Sequence, residues 1–143
     1  MNQKLVRNGF ILAALMNFSV LVWSRGFTNV AINQADPVVM SNFGLLMIII
    51  WGMAYIGAAS TIANLKWLAG AFALEKLVYA VIWINWHLEN SVQALYSTDT
   101  FAGIFYSIYG LNDLIFMLFF TAVFFKEPLI KVVKTQEPKY GAP

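Results

Sequence analysis

The chain has 143 residues, of which 60% are hydrophobic and 11% charged, with a formal net charge of +2, one histidine and no cysteine. Soluble domains carry about 25% charged residues, so this composition selects lipid as the solvent, and the length suits a single domain. Disulfides, thiolate metal sites, cysteine nucleophiles, bis-histidine haem and HExxH zinc chemistry are excluded within one chain, and the weak charge without a basic patch argues against nucleic acid.

Four apolar runs, at about 9–24, 37–59, 66–87 and 101–125, predict an all-α integral membrane protein. At 1.5 Å per residue, the last three each reach roughly 30 Å or more, the thickness of the hydrocarbon core. The first run is shorter, and its Lys4/Arg7 prelude resembles a signal peptide. No Ala-x-Ala-like site follows Trp23, so a true span is expected there. Asp36-Pro37 is the expected N-cap and first residue of the second helix. Thr98, Asp99 or Thr100 serves the fourth in the same way, and Pro128 limits its far end. Trp23, Trp67 and Trp86 fall near span ends as interfacial anchors do, whereas Trp51 lies mid-span and is expected against another helix.

Topology follows from the basic residues. Lys4, Arg7, Lys66, Lys126, Lys131, Lys134 and Lys139 fall on one side of these spans and Arg25 on the other. The loop 89–100 carries Glu89 and Asp99 and no basic residue. The positive-inside rule therefore puts both termini in the cytoplasm, as in a protein of the bacterial inner membrane. Residues 1–125 form one transmembrane domain. Residues 126–143 form a short basic tail whose stretch 129–134 suits either an anionic leaflet or ordinary flanking charge. Small-xxx-small steps at Ala54/Ala58 and Ala69/Ala73, with Gly44, Gly52 and Gly57, allow close helix approach. The expected fold is an antiparallel four-transmembrane-helix bundle in which short loops make the second and third helices neighbours.

Glu75, Lys76 and Asp113 interrupt the third and fourth runs. Hydrocarbon tolerates such groups only where they are paired, wetted or used. Lys76 lies ten residues after Lys66, about 15 Å deep, and Asp113 twelve after Phe101, about 18 Å from the opposite face. Both reach the midplane, which predicts a Lys76–Asp113 pair or a Glu75–Lys76–Asp113 cluster. Adjacent helical positions diverge by about 100°, so only one of Glu75 and Lys76 can point straight at Asp113. On the insertion scale, two central charges cost the third helix about 5–7 kcal/mol, more than its apolar residues return. Partners must come from neighbouring helices.

Asn17, Asn112, Tyr79, Tyr109 and His87 complete the expected ligand- or proton-binding set, with Tyr106 on the stripe of Tyr109. Each also has a plainer role. The ion pair can fix helix register, the tyrosines can pack, the asparagines can bond between helices, and His87 can sit wet at the interface. Glu75 has no second cation within the spans and is the acid expected to hold a proton or face a ligand. No P-loop, nucleophile elbow or dinucleotide turn is present, and no catalytic residue, metal site or cofactor is expected. The expected function is binding or transport of a small or hydrophobic ligand, with proton coupling. The alternatives are an accessory subunit of a larger membrane complex and a membrane enzyme with Glu75 as acid and Asp113 as base. Expected partners are membrane lipids and either further copies of the chain or a larger complex.

Overall fold

The computed structural model describes residues 2–61 and 65–126, which are helical with no strand among them. In chain order the helices are α1 (Gln3–Phe18), α2 (Val20–Trp23), α3 (Val30–Ala35), α4 (Asn42–Ser60), α5 (Lys66–Glu89), α6 (Val92–Thr98) and α7 (Thr100–Lys126). Four stretches are long and apolar enough to cross a membrane: Gln3–Trp23, Asn42–Ser60, Lys66–Glu89 and Thr100–Lys126. Their outward faces carry large exposed apolar side chains, among them Leu15, Leu74, Val78, Ile115 and Leu118. That pattern is costly in water and suits lipid. Of the basic tail expected at 126–143, Lys126 ends α7, and the rest, with Pro128 and the stretch 129–134, lies outside the described residues.

Local chemistry accounts for the helix limits. Asn2 caps α1 by accepting from the Lys4 amide. Ser19 separates α1 from α2, its hydroxyl bonding back to the Met16 carbonyl while accepting from the Trp23 indole. The second long helix starts later than Asp36-Pro37 predicts. Asp36 accepts from the amides of Val38 and Val39 and starts a single turn. The Asn33 amide then takes the Met40 carbonyl, and the Ser41 hydroxyl accepts from the Gly44 amide. A better-placed cap thus starts α4 at Asn42. The fourth span begins as expected, with Asp99 accepting from the Ala102 amide at 2.8 Å.

Packing is closest between α1 and α4 and between α5 and α7, each pair being consecutive spans. Glycines allow it. Gly52 faces Phe18 and Asn17, and Gly110 lies under the Trp83 ring with no room for a Cβ. The neighbouring pair expected from the short loop, α4 and α5, meets through side chains instead. Tyr55, Phe72 and Trp51 fill the space between them: the Tyr55 and Phe72 rings are 4.7 Å apart, and Trp51 and Phe72 6.1 Å. Bulky rings hold these two backbones apart where small residues would have drawn them together.

The core has two parts. One, at the start of α1, the end of α4, the start of α5 and the end of α7, gathers Val6, Phe10, Tyr55, Phe72, Phe116, Phe120 and Val123. The other gathers Val20, Ile32, Met40, Leu45, Trp86, Phe105, Tyr106 and Tyr109 under the short helices α3 and α6. Those short helices fall in segments whose brevity hides a helical period. Trp86 anchors the second part from within: it is buried, and its indole donates to the Ala35 carbonyl at 2.8 Å. Trp67 stays exposed, as an interfacial anchor would.

Candidate functional site

The expected charged cluster forms between these two parts of the core. Lys76 is 2% exposed and Asp113 5%, and the Lys76 ammonium donates to Asp113 Oδ1 at 2.7 Å. A second donor reaches Asn17 Oδ1 at 2.9 Å, and Asn17, itself 3% exposed, donates onward to the Ile48 carbonyl at 3.0 Å. Asn112 adds a donor to Asp113 Oδ1 at 3.3 Å. One chain of bonds therefore ties α5 to α7, α1 and α4. A buried ion pair offsets its desolvation only when its remaining donors and acceptors are also occupied, and this one is well supplied.

Glu75 diverges from Lys76 as the helical angle requires. Its Oε2 accepts from the Tyr55 hydroxyl on α4 at 2.5 Å, and its Oε1 lies 3.9 Å from the Lys76 ammonium. That Oε1 is buried and makes no hydrogen bond among the described residues, and the Tyr109 hydroxyl is in the same position. Buried polar atoms without partners are uncommon and call for an explanation. Both residues line one small cavity of about 40 Å³, together with Asn17, Lys76, Tyr79, Asn112 and Asp113. A water needs roughly 10–15 Å³ of such space, so the cavity accommodates two or three. Drug-sized ligands occupy pockets of roughly 300–1,000 Å³, far beyond this space.

Seven of the eight residues expected at the site thus converge: Glu75, Lys76, Asp113, Asn112, Tyr79, Tyr109 and Asn17. His87 does not join them. It lies near the end of α5, where its Nδ1 is 3.0 Å from the Trp83 carbonyl and its ring packs on Trp83 and Trp86. Tyr106, on the stripe of Tyr109, bonds to the Ile32 carbonyl at 3.3 Å and fastens α3. Tyr55 is the site residue that sequence reasoning missed. Its signal was a hydroxyl within an otherwise apolar span, easily read as one more aromatic.

The other polar constellation sits at the far end of the fold. The Asp99 carboxylate takes the Ala102 amide, the Asn29 amide at 3.0 Å and the Arg25 guanidinium at 3.0 Å. These partners, the Ala102 amide foremost, hold its carboxyl below the ordinary value of 3.8. Arg25 also lies over the Phe101 ring, 4.8 Å from its centroid. Among the described residues, no group of three or more metal-ligating side chains is assembled.

No family model, curated protein or solved structure matches the chain.

Proposed function

We propose that this protein is a small integral membrane protein that binds and moves a small polar ligand, coupled to a proton, at the Glu75–Lys76–Asp113 site. The observation that carries this reading is that Glu75 Oε1 and the Tyr109 hydroxyl, each buried without a hydrogen bond among the described residues, belong to residues lining one cavity. A satisfied Lys76–Asp113 pair is sufficient for structure. A further midplane acid with an empty acceptor is costly unless something occupies it. The size of the cavity favours a small polar ligand over a large hydrophobic one.

The four spans cross as an antiparallel bundle, with the shared clustering of alternate helix ends in support. The bias of basic residues supports a topology with both termini in the cytoplasm, and the bacterial inner membrane is the location we propose. One protomer encloses little space, so a transport cycle uses a symmetric pair of protomers.

The test combines native mass spectrometry of protein gently extracted from its membranes with the variant Glu75→Gln. The expected outcome is a small molecule retained by the wild type and lost in Glu75→Gln, with the folded amount in membranes unchanged. Undiminished binding by the variant would sink the role of Glu75. A second reading, an accessory subunit of a larger membrane complex, draws on the bond chain Ile48–Asn17–Lys76–Asp113, which locks four helices in register. Co-purifying polypeptides at fixed stoichiometry, with no small molecule, would favour it.

A further inference from the structure

The cavity is one-sided along the helix axes. From Glu75, Lys76, Asp113 and Asn17 its wall continues to Val20 and Trp23 on α1–α2 and to Phe105 and Ile108 on α7. All four of these lie toward the end that carries Arg25 and Asp99. In the opposite direction Phe10, Tyr55, Phe72, Phe116 and Phe120 fill the core, and none of them lines the cavity. Phe72 alone meets Phe10, Trp51, Tyr55 and Phe120 at ring separations of 4.7–6.1 Å. The cavity extends from the charged cluster toward one end, and a wall of rings stands at the other.

Charge narrows the occupant. Lys76 and Tyr79 on α5 and Asp113 and Tyr109 on α7 share the cavity wall with Glu75, and Tyr55 on α4 donates to it, while α1 contributes the neutral Asn17. With every carboxyl ionised the group holds two anions and one cation, and Lys76 is engaged mainly with Asp113, at 2.7 Å against 3.9 Å for Glu75. A metal ion at Glu75 would face the Lys76 ammonium at short range. A proton needs no coordination shell and fits a space of two or three waters. The side chain of Glu75 is 6% exposed and Tyr109 is 7% exposed, so both free atoms are thoroughly buried.

We infer that Glu75 is loaded with one proton through a short file of waters from the Arg25 end, while the phenylalanine cluster closes the other end. This rests on the reading above that the cavity is functional and proton-coupled, and it assigns Glu75 as the group that carries the proton and the side from which the proton enters. The step transfers one proton from hydronium to a Glu75 carboxylate oxygen, leaving a carboxylic acid and a water. The Tyr109 hydroxyl provides a fixed partner for a water on the path.

The natural chain has no cysteine, so single-cysteine variants can be probed directly. In sided vesicles, silver ion is expected to modify Val20→Cys and Ile108→Cys at least tenfold faster from the Arg25 face than from the face of the termini. Phe116→Cys is expected to resist from both. Infrared titration of the reconstituted wild type is expected to show a protonated carboxyl that shifts on carbon-13 labelling of glutamate. The band is expected to vanish in Glu75→Gln and to persist in Glu89→Gln. Where Glu75→Gln fails to accumulate, the labelled wild type still tests the inference, since an unshifted band overturns it. Equal silver access from both faces, or faster access from the termini, overturns one-sided loading. Silver access from the Arg25 face without a titrating glutamate overturns proton loading but leaves a wet ligand site. Silence at both wall positions overturns the inference and the ligand-binding reading together.

Discussion

At the end of the molecule where α1 starts and α7 finishes, rings pack on rings. Phe10 meets Phe72, Phe119 and Phe120 edge-on, at centroid separations of 5.1–5.9 Å. At the other end, aromatic residues work through their polar atoms: Trp83 donates to the Tyr106 carbonyl, Trp86 to Ala35 and Tyr106 to Ile32. The first region is held by shape and dispersion, which must do the work in lipid because apolar helix faces gain little by leaving apolar tails. The second spends side-chain donors on the carbonyls of α3, where irregular backbone close by needs partners, and on one carbonyl of α7. The charged cluster lies at the border, with its cavity on the hydrogen-bonded side. A polar site in a bilayer is easiest to keep where polar scaffolding already exists.

That contrast can be broken first at the border. Lys76→Met leaves Asp113 buried without its cation and is expected to cost about 3–5 kcal/mol, the range for breaking a buried pair. Adding Asp113→Leu to the same protein is expected to recover most of that loss, as reversible unfolding in a bilayer or in detergent would register. A loss that persists in the double variant would mean that the pair contributes more than mutual neutralisation.

The ring-packed end comes next. Phe72→Ala is expected to cost about 3 kcal/mol by opening a cavity among four rings. Trp86→Phe, which removes one hydrogen bond at the other end, is expected to cost about 1 kcal/mol. Similar losses in the two variants would erase the distinction between the regions. Gly110→Ala tests the close approach of α5 and α7 under Trp83, with an expected cost of about 1–3 kcal/mol from overpacking.

The smallest effect belongs to the Asp99 cluster. Its folded value is held below 3.8, so the ionised form stabilises the fold above the unfolded carboxyl's value. That contribution is lost as pH falls through the lower folded value. The wild type is expected to exceed Asp99→Asn by at most about 1 kcal/mol near neutral pH, with the gap closing in acid. A gap that persists in acid would assign the benefit to shape instead of charge.

Much of the site was legible because depth in a membrane is arithmetic. Lys76 and Asp113 were expected together from residue counts along two spans, and a regular rise makes such counts reliable. Asn17 was legible for the same reason. The divergence of Glu75 followed from the helical angle. Tyr55 was not legible, since a buried tyrosine belongs equally to packing and to chemistry, and the choice depends on what faces it. Nor was the place of His87, which a polarity-based list gathers into the site although Trp83 and Trp86 hold it apart. The start of α4 depended on competition between two caps, Asp36 and Ser41, which local sequence alone does not decide. Which spans press closest turned on whether glycines or rings occupied the facing positions.

The bond chain through Lys76 also has an order in time. Asn17 and Ile48 precede Lys76 along the chain, whereas Asp113 follows it by 37 residues. At ribosomal rates of about 5–20 residues per second, that interval is on the order of seconds. Throughout it, α5 carries its ammonium toward the bilayer with the Asn17 carbonyl and Glu75 available and its main anion still unmade. The Lys76–Asp113 bond is therefore the last of the chain to become possible, once α7 has been made.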